Sequence, residues 1–336
     1  MEEKTLTISM LSKANSVPGQ GVGSAYNELL SLLQGQEGIQ IVYKGKADIY
    51  HVHTVNPTFR RKMNKKNVSV MSVHFLPTTL DGSLKMPRLF FPIFKSYVLS
   101  TYKKAKHLVV VNPCFVDKLV ELGFKRESIH YIPNVVSPSF CPHLSQGEKE
   151  AYREKLGIPR DVFVVLGAGQ TQTRKGIFDF VEVAKSNPDM LFLWAGGFSF
   201  GRITDGYKRI KAIMDDPPPN VKFLGILPRL EMGNVYEISD CFFLPSFDEL
   251  FPMTILEAAS CQKPILLRKL ALYEPILGDK CLYGESNEEF SSLLRKLASD
   301  SNFVQERVQS SMDISSIYGE DAIRNAWIEF YRSIAK

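Results

Sequence analysis

Short runs of branched and aromatic residues recur along this 336-residue chain, separated by stretches of helical periodicity. In the first half the runs fall at 5–11, 39–43, 47–53, 68–74, 108–112 and 129–136. In the second half they fall at 162–169, 190–197, 221–225, 241–244 and 264–267. Each is short and bounded by Gly, Pro or polar residues, as buried strands are. Between them lie amphipathic stretches, including one ending at Leu33, then 113–122, 148–156, 177–186, 205–215, 230–238 and 253–260; after the run at 264–267, helices continue to the end. Strand and helix alternating twice predicts an α/β chain with two doubly wound parallel-sheet domains. Residues 137–147 are turn-rich and without period, which places the linker there. The expected division is 1–143 and 144–317, with a last helix over 318–336 packing back on the first domain.

One stretch concentrates the chemistry. Leu244-Pro-Ser-Phe-Asp-Glu-Leu-Phe-Pro-Met-Thr-Ile-Leu-Glu-Ala reads as strand end, acidic loop and helix start. Pro252 stands at the first helical position, where its missing N–H is not needed. Glu249 lies on the loop and Glu257 in the first turns. A helix start offers unpaired N–H groups to a phosphate, and two carboxylates suit sugar or ribose hydroxyls. The combination points to a nucleotide-sugar site. Taken alone, Glu257 is also explained as an acid stabilising a helix N-terminus.

Composition adds a charge asymmetry. Residues 1–140 hold 18 Lys+Arg against 9 Asp+Glu, a net of +9, while the remainder carries −4. The basic half suits nucleic acid, a phosphorylated substrate or an anionic membrane. Five cysteines without zinc-type spacing read as free thiols in a reducing cytoplasm. The apolar run at 6–11 is too short and wrongly flanked for a signal peptide, and no run is long enough to span a bilayer.

Other candidates have two readings each. Gly19, Gly21 and Gly23 could form a phosphate-cradling loop or only a turn. His51 and His53 point the same way on a strand, so a metal pair is conceivable, but no third ligand is in view. His74 closes a strand at its carboxyl end, where open α/β sheets bind ligands. Residues 60–66 carry five positive charges, either a solvated helix face or a headgroup contact. From Leu84 to His107, aromatic and apolar residues alternate with Arg88, Lys95, Lys103, Lys104 and Lys106. That is either an interfacial helix with Phe90, Phe91 and Phe94 dipping into a bilayer face, or a core helix with a basic outer face.

The block from Leu244 to Ala258, with Glu249 and Glu257 at Glu-x7-Glu spacing, resembles the signature of the retaining GT-B glycosyltransferases of family 4. Supporting pieces follow the family's order along nearly the whole chain: Gly21/Gly23, His74, Ile132-Pro-Asn134, Lys175-Gly176, Gly196-Gly197 and 221–225. The resemblance implies a UDP-sugar as donor substrate in an interdomain cleft, with no further cofactor and no obligatory active-site metal. It implies that Glu257 binds the donor ribose, Glu249 the sugar C3 hydroxyl and Lys175 the pyrophosphate. His74 would contact the sugar near the reacting carbon, and the helix opening at Phe251, Met253 and Thr254 would supply amides. Gly21, Gly23, Gly196, Gln170 and Arg174 complete the implied donor site.

Two departures stand out. An arginine usual just after the strand-end glycine is Gln170 here, and Arg174 precedes Lys175 instead. Either Arg174 substitutes for it or pyrophosphate binding leans on Lys175. The usual core glycines are Leu250 and Pro252, and Pro252 cannot donate an N–H. The segments 170–176, 194–207 and Ser72-Val-His-Phe-Leu-Pro with Gly82-Ser-Leu are similar to bacterial glycolipid synthases of the diglycosyl-diacylglycerol group. That likeness implies hexosyl transfer, with retention, from UDP-glucose or UDP-galactose to monoglucosyl-diacylglycerol or diacylglycerol. The enzyme would sit on the cytoplasmic face of an anionic membrane. A hexosyltransferase of capsule or wall assembly is the alternative within enzymes. The non-enzymatic alternative, a basic nucleic-acid-binding module, has no stacking-aromatic motif or helix-turn-helix behind it, and nucleic acid is not expected as a partner.

Overall fold

The computed structural model describes residues 5–14, 21–77 and 91–335. They form two compact units, one from the N-terminal part through Val135 together with the chain from Tyr318 on, the other Val136–Ile317.

The first unit is built as β1 (Leu6–Leu11), α1 (Gly21–Leu33), β2 (Ile39–Ile41), β3 (Ile49–Val52), α2 (Pro57–Arg60), β4 (Val68–Val73), α3 (Phe91–Tyr102), β5 (His107–Val110), α4 (Cys114–Glu121) and β6 (Ile129–Tyr131). Its six strands are parallel in the order β2-β1-β3-β4-β5-β6. They are Val/Ile-rich and almost wholly buried, as parallel strands covered on both faces must be.

The second unit is α5 (Gln146–Lys155), β7 (Phe163–Ala168), α6 (Ile177–Ser186), β8 (Met190–Ala195), α7 (Tyr207–Asp215), β9 (Val221–Gly225), α8 (Arg229–Ile238), β10 (Cys241–Leu244), α9 (Met253–Ser260), β11 (Ile265–Arg268), α10 (Glu274–Leu277), β12 (Leu282–Gly284), α11 (Asn287–Ser299) and α12 (Ser301–Ile317). Its parallel sheet runs β12-β11-β10-β7-β8-β9. Phe180 on α6 packs edge-on against Phe192 and Trp194 of β8 and stacks on Phe243 of β10, fixing helix to sheet. Ser145 and Glu148 form a reciprocal capping box that starts α5.

The last helix, α13 (Glu320–Ile334), belongs to the first unit. Its Ile323, Trp327, Phe330 and Tyr331 join Leu6, Ile8, Leu29, Leu33, Ile49 and Val70 in one buried cluster.

Several local expectations are corrected. Gly21 and Gly23 open α1 rather than forming a loop, and Gly23 is buried there; Gly19 lies outside the described residues. The basic run 60–66 is not a helix: α2 ends at Arg60, and turns follow around the buried Met63. Helix α3 spans only Phe91–Tyr102, and Arg88 and Phe90 lie outside the described residues. β12 stands where only helices are expected, because its three residues leave too short an apolar run to register. Pro252 is the residue before the first helical turn, with extended backbone (φ −66°, ψ 135°), and α9 begins at Met253.

Candidate functional site

In the second sheet β10 neighbours β7, and the strand order changes direction between them. The loops after these two strands therefore leave the sheet on opposite sides of one crevice, at the carboxyl ends where ligands collect. The β7 loop carries Gln170 to Gly176, and the β10 loop carries Pro245 to Pro252.

Close backbone packing brings the two loops together. Gly176 adopts a left-handed conformation (φ +73°), and a Cβ there would stand 2.2 Å from the carbonyl oxygen of Pro245. Only glycine fits both demands. At the neighbouring strand end, a Cβ on Gly196 (φ +144°) would meet the carbonyl oxygen of Gly169 at 1.8 Å. The indole N–H of Trp194 donates to that same oxygen at 3.1 Å.

This packing seats Lys175 against Glu249. Both are buried, and their side chains form a direct ion pair. Ser246 donates to the same carboxylate oxygen of Glu249 at 2.6 Å, and Arg174 lies 3.7 Å from the other oxygen. The Arg174 guanidinium also donates to the Asp248 carbonyl, while its own carbonyl accepts from the Phe247 N–H at 2.8 Å. Burial raises the Glu249 carboxyl, but the Lys175 and Arg174 cations outweigh it and hold the group below the usual carboxylate value. Burial lowers the Lys175 ammonium, and Glu249 partly opposes that shift. Gln170 accepts from the Gln172 amide at 2.5 Å.

Glu257 sits one turn into α9 and is buried as well. Arg229, the first residue of α8, pairs with it at 3.0 Å. The Tyr236 hydroxyl, on the same helix, reaches its other oxygen at 3.2 Å and the Thr254 carbonyl at 3.1 Å. Arg229 stacks over the Phe140 ring, 4.6 Å from its centroid. Among the described residues no side chain caps α9, so its opening amides at Met253 and Thr254 are left for another acceptor; Phe251 is buried just before them.

The first unit holds a histidine cluster at the carboxyl ends of β3 and β4. His53 Nδ1 and His74 Nε2 are 3.4 Å apart, and the His51 and His53 rings lie tilted to each other with centroids 4.1 Å apart. His53, Ser72 and His74 border a small cavity of about 20 Å³ with Leu29, Asn134 and Trp327. Burial lowers His74 to about 4 and His51 to about 3, and holds His53 well below its ordinary value. Both ring nitrogens of His51 are engaged, by Tyr331 at 2.7 Å and Ser72 at 2.8 Å. In this arrangement neither ring nitrogen of His51 is open to an ion.

The residues named from sequence thus fall into two groups. Lys175, Arg174 and Glu249 meet at one ion-pair cluster, with Gly196 lining the adjacent turn and Met253, Thr254 and Glu257 on α9. His74 belongs to the first unit, as do Gly21 and Gly23. On α3, Val98, Thr101 and Tyr102 face inward, and Tyr102 donates to the Phe75 carbonyl at 2.8 Å. Phe91, Phe94 and Lys95 are half-buried, Lys103 and Lys104 are exposed, and Ile93 is 66% exposed. Sequence reading missed Ser246, Arg229 and Tyr236. Ser246 carries a signal, since it stands three residues before Glu249 on the same loop. Arg229 and Tyr236 carry none, because only the packing of α8 beside α9 brings them to Glu257.

Comparison with known proteins gives a consistent result. Residues 148–310 match the family described as glycosyl transferases group 1, and residues 14–140 match glycosyltransferase family 4. The chain is 42% identical to the alpha-galactosylglucosyldiacylglycerol synthase of Streptococcus pneumoniae, over 100% of this chain and 91% of that protein. It is 28% identical to the processive diacylglycerol alpha-glucosyltransferase of Acholeplasma laidlawii, over 86% and 85% of the two chains. Among solved structures, Anabaena HepE with UDP and glucose superposes with a TM-score of 0.78 at 14% identity, covering 98% of this chain and all of that one. WaaG, described as a glycosyltransferase of lipopolysaccharide biosynthesis, superposes with a TM-score of 0.71 at 14% identity, over 97% and 99%. These structural likenesses establish the two-domain α/β fold of GT-B glycosyltransferases.

Proposed function

Starting from the fact that the chain belongs to the family 4 glycosyltransferases, we propose that it moves a hexosyl group from UDP-glucose or UDP-galactose to a glycolipid acceptor, with retention of the α anomer. The observation that carries this reading is the pair of buried acids at the β7/β10 crevice, each held by cations. Glu257, oriented by Arg229 and Tyr236, offers a fixed carboxylate to the ribose hydroxyls. Glu249, ionised and anchored by Ser246, offers one to the sugar.

The leaving group is a diphosphate, so the transition state accumulates negative charge on it. Lys175, Arg174 and the uncapped start of α9 supply the opposing positive field from fixed positions. Lys175 carries this task first, because Arg174 is also bonded to the Asp248 carbonyl and braces the acidic loop. The leaving diphosphate oxygen itself takes the acceptor proton on the same face, and no step calls for a metal. His74 contacts the sugar near its reacting carbon; burial keeps its imidazole neutral, so it acts as a hydrogen-bonding group rather than a cation.

The acceptor is monoglucosyl-diacylglycerol or diacylglycerol. The S. pneumoniae relative's name, at 42% identity over the whole chain, favours galactosyl transfer to a glucosyl lipid. We assign the acceptor and an anionic membrane surface to the first unit. Arg60 supports that assignment, since it donates to Ser100 at 3.0 Å and lies over Tyr97, tying the basic segment 61–66 to α3. Arg61, Lys62, Lys65 and Lys66 are exposed there, near the exposed Ile93 helix. No helix of the described residues is long and apolar enough to cross a membrane.

Incubation with UDP-glucose and UDP-galactose, each against diacylglycerol and monoglucosyl-diacylglycerol, tests the reading when products are resolved by mass spectrometry. An α-linked diglycosyl lipid is the expected product. Transfer to polyprenyl-linked or polysaccharide acceptors, with none to either lipid, would overturn it.

A further inference from the structure

At the far end of α9, away from the donor loops, lies a second cluster of reactive groups. Cys141 follows the short turn 138–140, Glu237 is in the last turn of α8, and Cys261 is the first residue past α9. All three are buried, and their Sγ, Sγ and carboxylate oxygen atoms lie within 4.8 Å of one another. The Cys141 thiol donates to Glu237 Oε1 at 2.8 Å, and the Cys261 sulfur lies within 4.8 Å of both. His143 Nδ1 stands 3.8 Å from Cys141 Sγ, on an exposed residue with left-handed backbone (φ +52°). None of these groups belongs to the donor cluster described above.

We infer that Cys141, Cys261 and Glu237 bind one zinc-class cation, with His143 closing the coordination shell from the solvent side. A tetrahedral zinc site with metal–sulfur bonds of about 2.3 Å and metal–oxygen bonds of about 2.1 Å sets its ligand atoms roughly 3.6 to 3.8 Å apart. The cluster needs only side-chain adjustment to reach that spacing. Two thiols select a soft d10 ion over Mg²⁺ or Ca²⁺. Binding replaces the two thiol protons, which leave to solvent, and frees Glu237 Oε1 from the Cys141 S–H.

The surroundings suit the charge. Two thiolates and Glu237 carry three negative charges, of which the cation offsets two. Lys149 pairs with Glu237 Oε2 at 2.7 Å and offsets the third. It holds the carboxylate's outer oxygen while the inner one faces the sulfurs, the arrangement that orients a ligating carboxylate. Lys263 donates to the Glu237 carbonyl at 3.0 Å and steadies the same turn. The cation would clamp the end of α8 to the end of α9. Glu237 is next to Tyr236, which holds Glu257, so the clamp braces the donor helix from about 12 Å along its axis.

The test is a Cd²⁺ titration of the reduced, metal-stripped full chain, read by the thiolate-to-cadmium charge-transfer band, with Zn²⁺ competition. One equivalent should bind, release protons and raise the thermal midpoint, and Zn²⁺ should displace it. Cys141→Ser and Cys261→Ser should each weaken binding roughly 100-fold or more, and Glu237→Gln roughly 10- to 100-fold. Cys114→Ser, which alters a thiol of the other unit, should leave it unchanged. Circular dichroism of each variant establishes that it is folded. Absence of the band in reduced protein, or a band that survives loss of both thiols, overturns the site. So does a purified protein in which Cys141 and Cys261 form a disulfide and, once reduced, take up no metal.

Discussion

Lys175 and Glu249 form a buried ion pair although they stand on loops from different strands. Arg174 makes the pair asymmetric. With Lys175 removed, Glu249 keeps Arg174 at 3.7 Å and Ser246 at 2.6 Å. With Glu249 removed, two neighbouring cations face each other in a buried site. Glu249→Ala should therefore destabilise the fold by about 3–5 kcal/mol, and Lys175→Ala by less. The double variant should cost less than the sum. Urea unfolding of the four proteins measures this cycle; additive losses would remove the pair. Turnover should fall in both single variants, most steeply in Lys175→Ala, where the diphosphate loses its buried cation.

Glu257 is separable from that cluster because its own partners are Arg229 and Tyr236. Glu257→Ala should weaken UDP-sugar binding by roughly 10- to 100-fold, the worth of a charge-assisted hydrogen bond to a hydroxyl. Arg229→Ala should weaken it by less, since Tyr236 still orients the acid. Calorimetric titration with UDP reads both. Unchanged affinity in Glu257→Ala would sink the ribose assignment.

Strand and helix placement were legible because burial on both sheet faces leaves continuous apolar runs, and because Gly and Pro punctuate them. The acidic stretch was legible because Glu249 and Glu257 lie on one continuous segment. Arg229 was not, since its role depends on α8 packing beside α9. Gly21 was misread because a glycine opening a helix and a glycine in a turn give the same local signal. The setting of His51 was not legible either, since Tyr331, which engages one ring nitrogen, stands 280 residues away in the chain.

Acid should unfold the first unit. His51 is wholly buried, with its value lowered from 6.5 to about 3. The unfolded chain takes up that proton first as pH falls. The stability His51 contributes is complete above about 6.5 and is lost progressively from there toward 3. At pH 5 the loss is about 2 kcal/mol from this residue alone. His130, lowered to about 4 by burial, His107 and Arg126, acts in the same direction. Urea midpoints measured at pH 7 and pH 5 should separate more for the wild type than for His51→Gln. An equal separation would refute the assignment.

Membrane contact should respond to charge and to one apolar side chain independently. Lys103→Ala/Lys104→Ala removes two exposed charges at the end of α3, each worth about 1 kcal/mol near an anionic surface. Vesicle affinity should drop roughly 30-fold at low salt and converge with the wild type at high salt. Ile93→Asp should weaken binding at both. Co-sedimentation with phosphatidylglycerol vesicles measures this; wild-type binding by both variants would exclude α3 from the contact.

The docking of α13 carries a consequence for how the molecule is made. Its Ile323, Trp327, Phe330 and Tyr331 complete a core whose other members lie before residue 136. On the ribosome, six strands of the first sheet emerge and then wait while the whole intervening unit is synthesised. At typical elongation of about 5–20 residues per second, that wait is on the order of ten seconds or more. The middle of the chain can finish folding before its beginning does. A nascent chain held short of Glu320 would present an uncovered patch around Leu29 and Leu33, the kind of surface a chaperone binds.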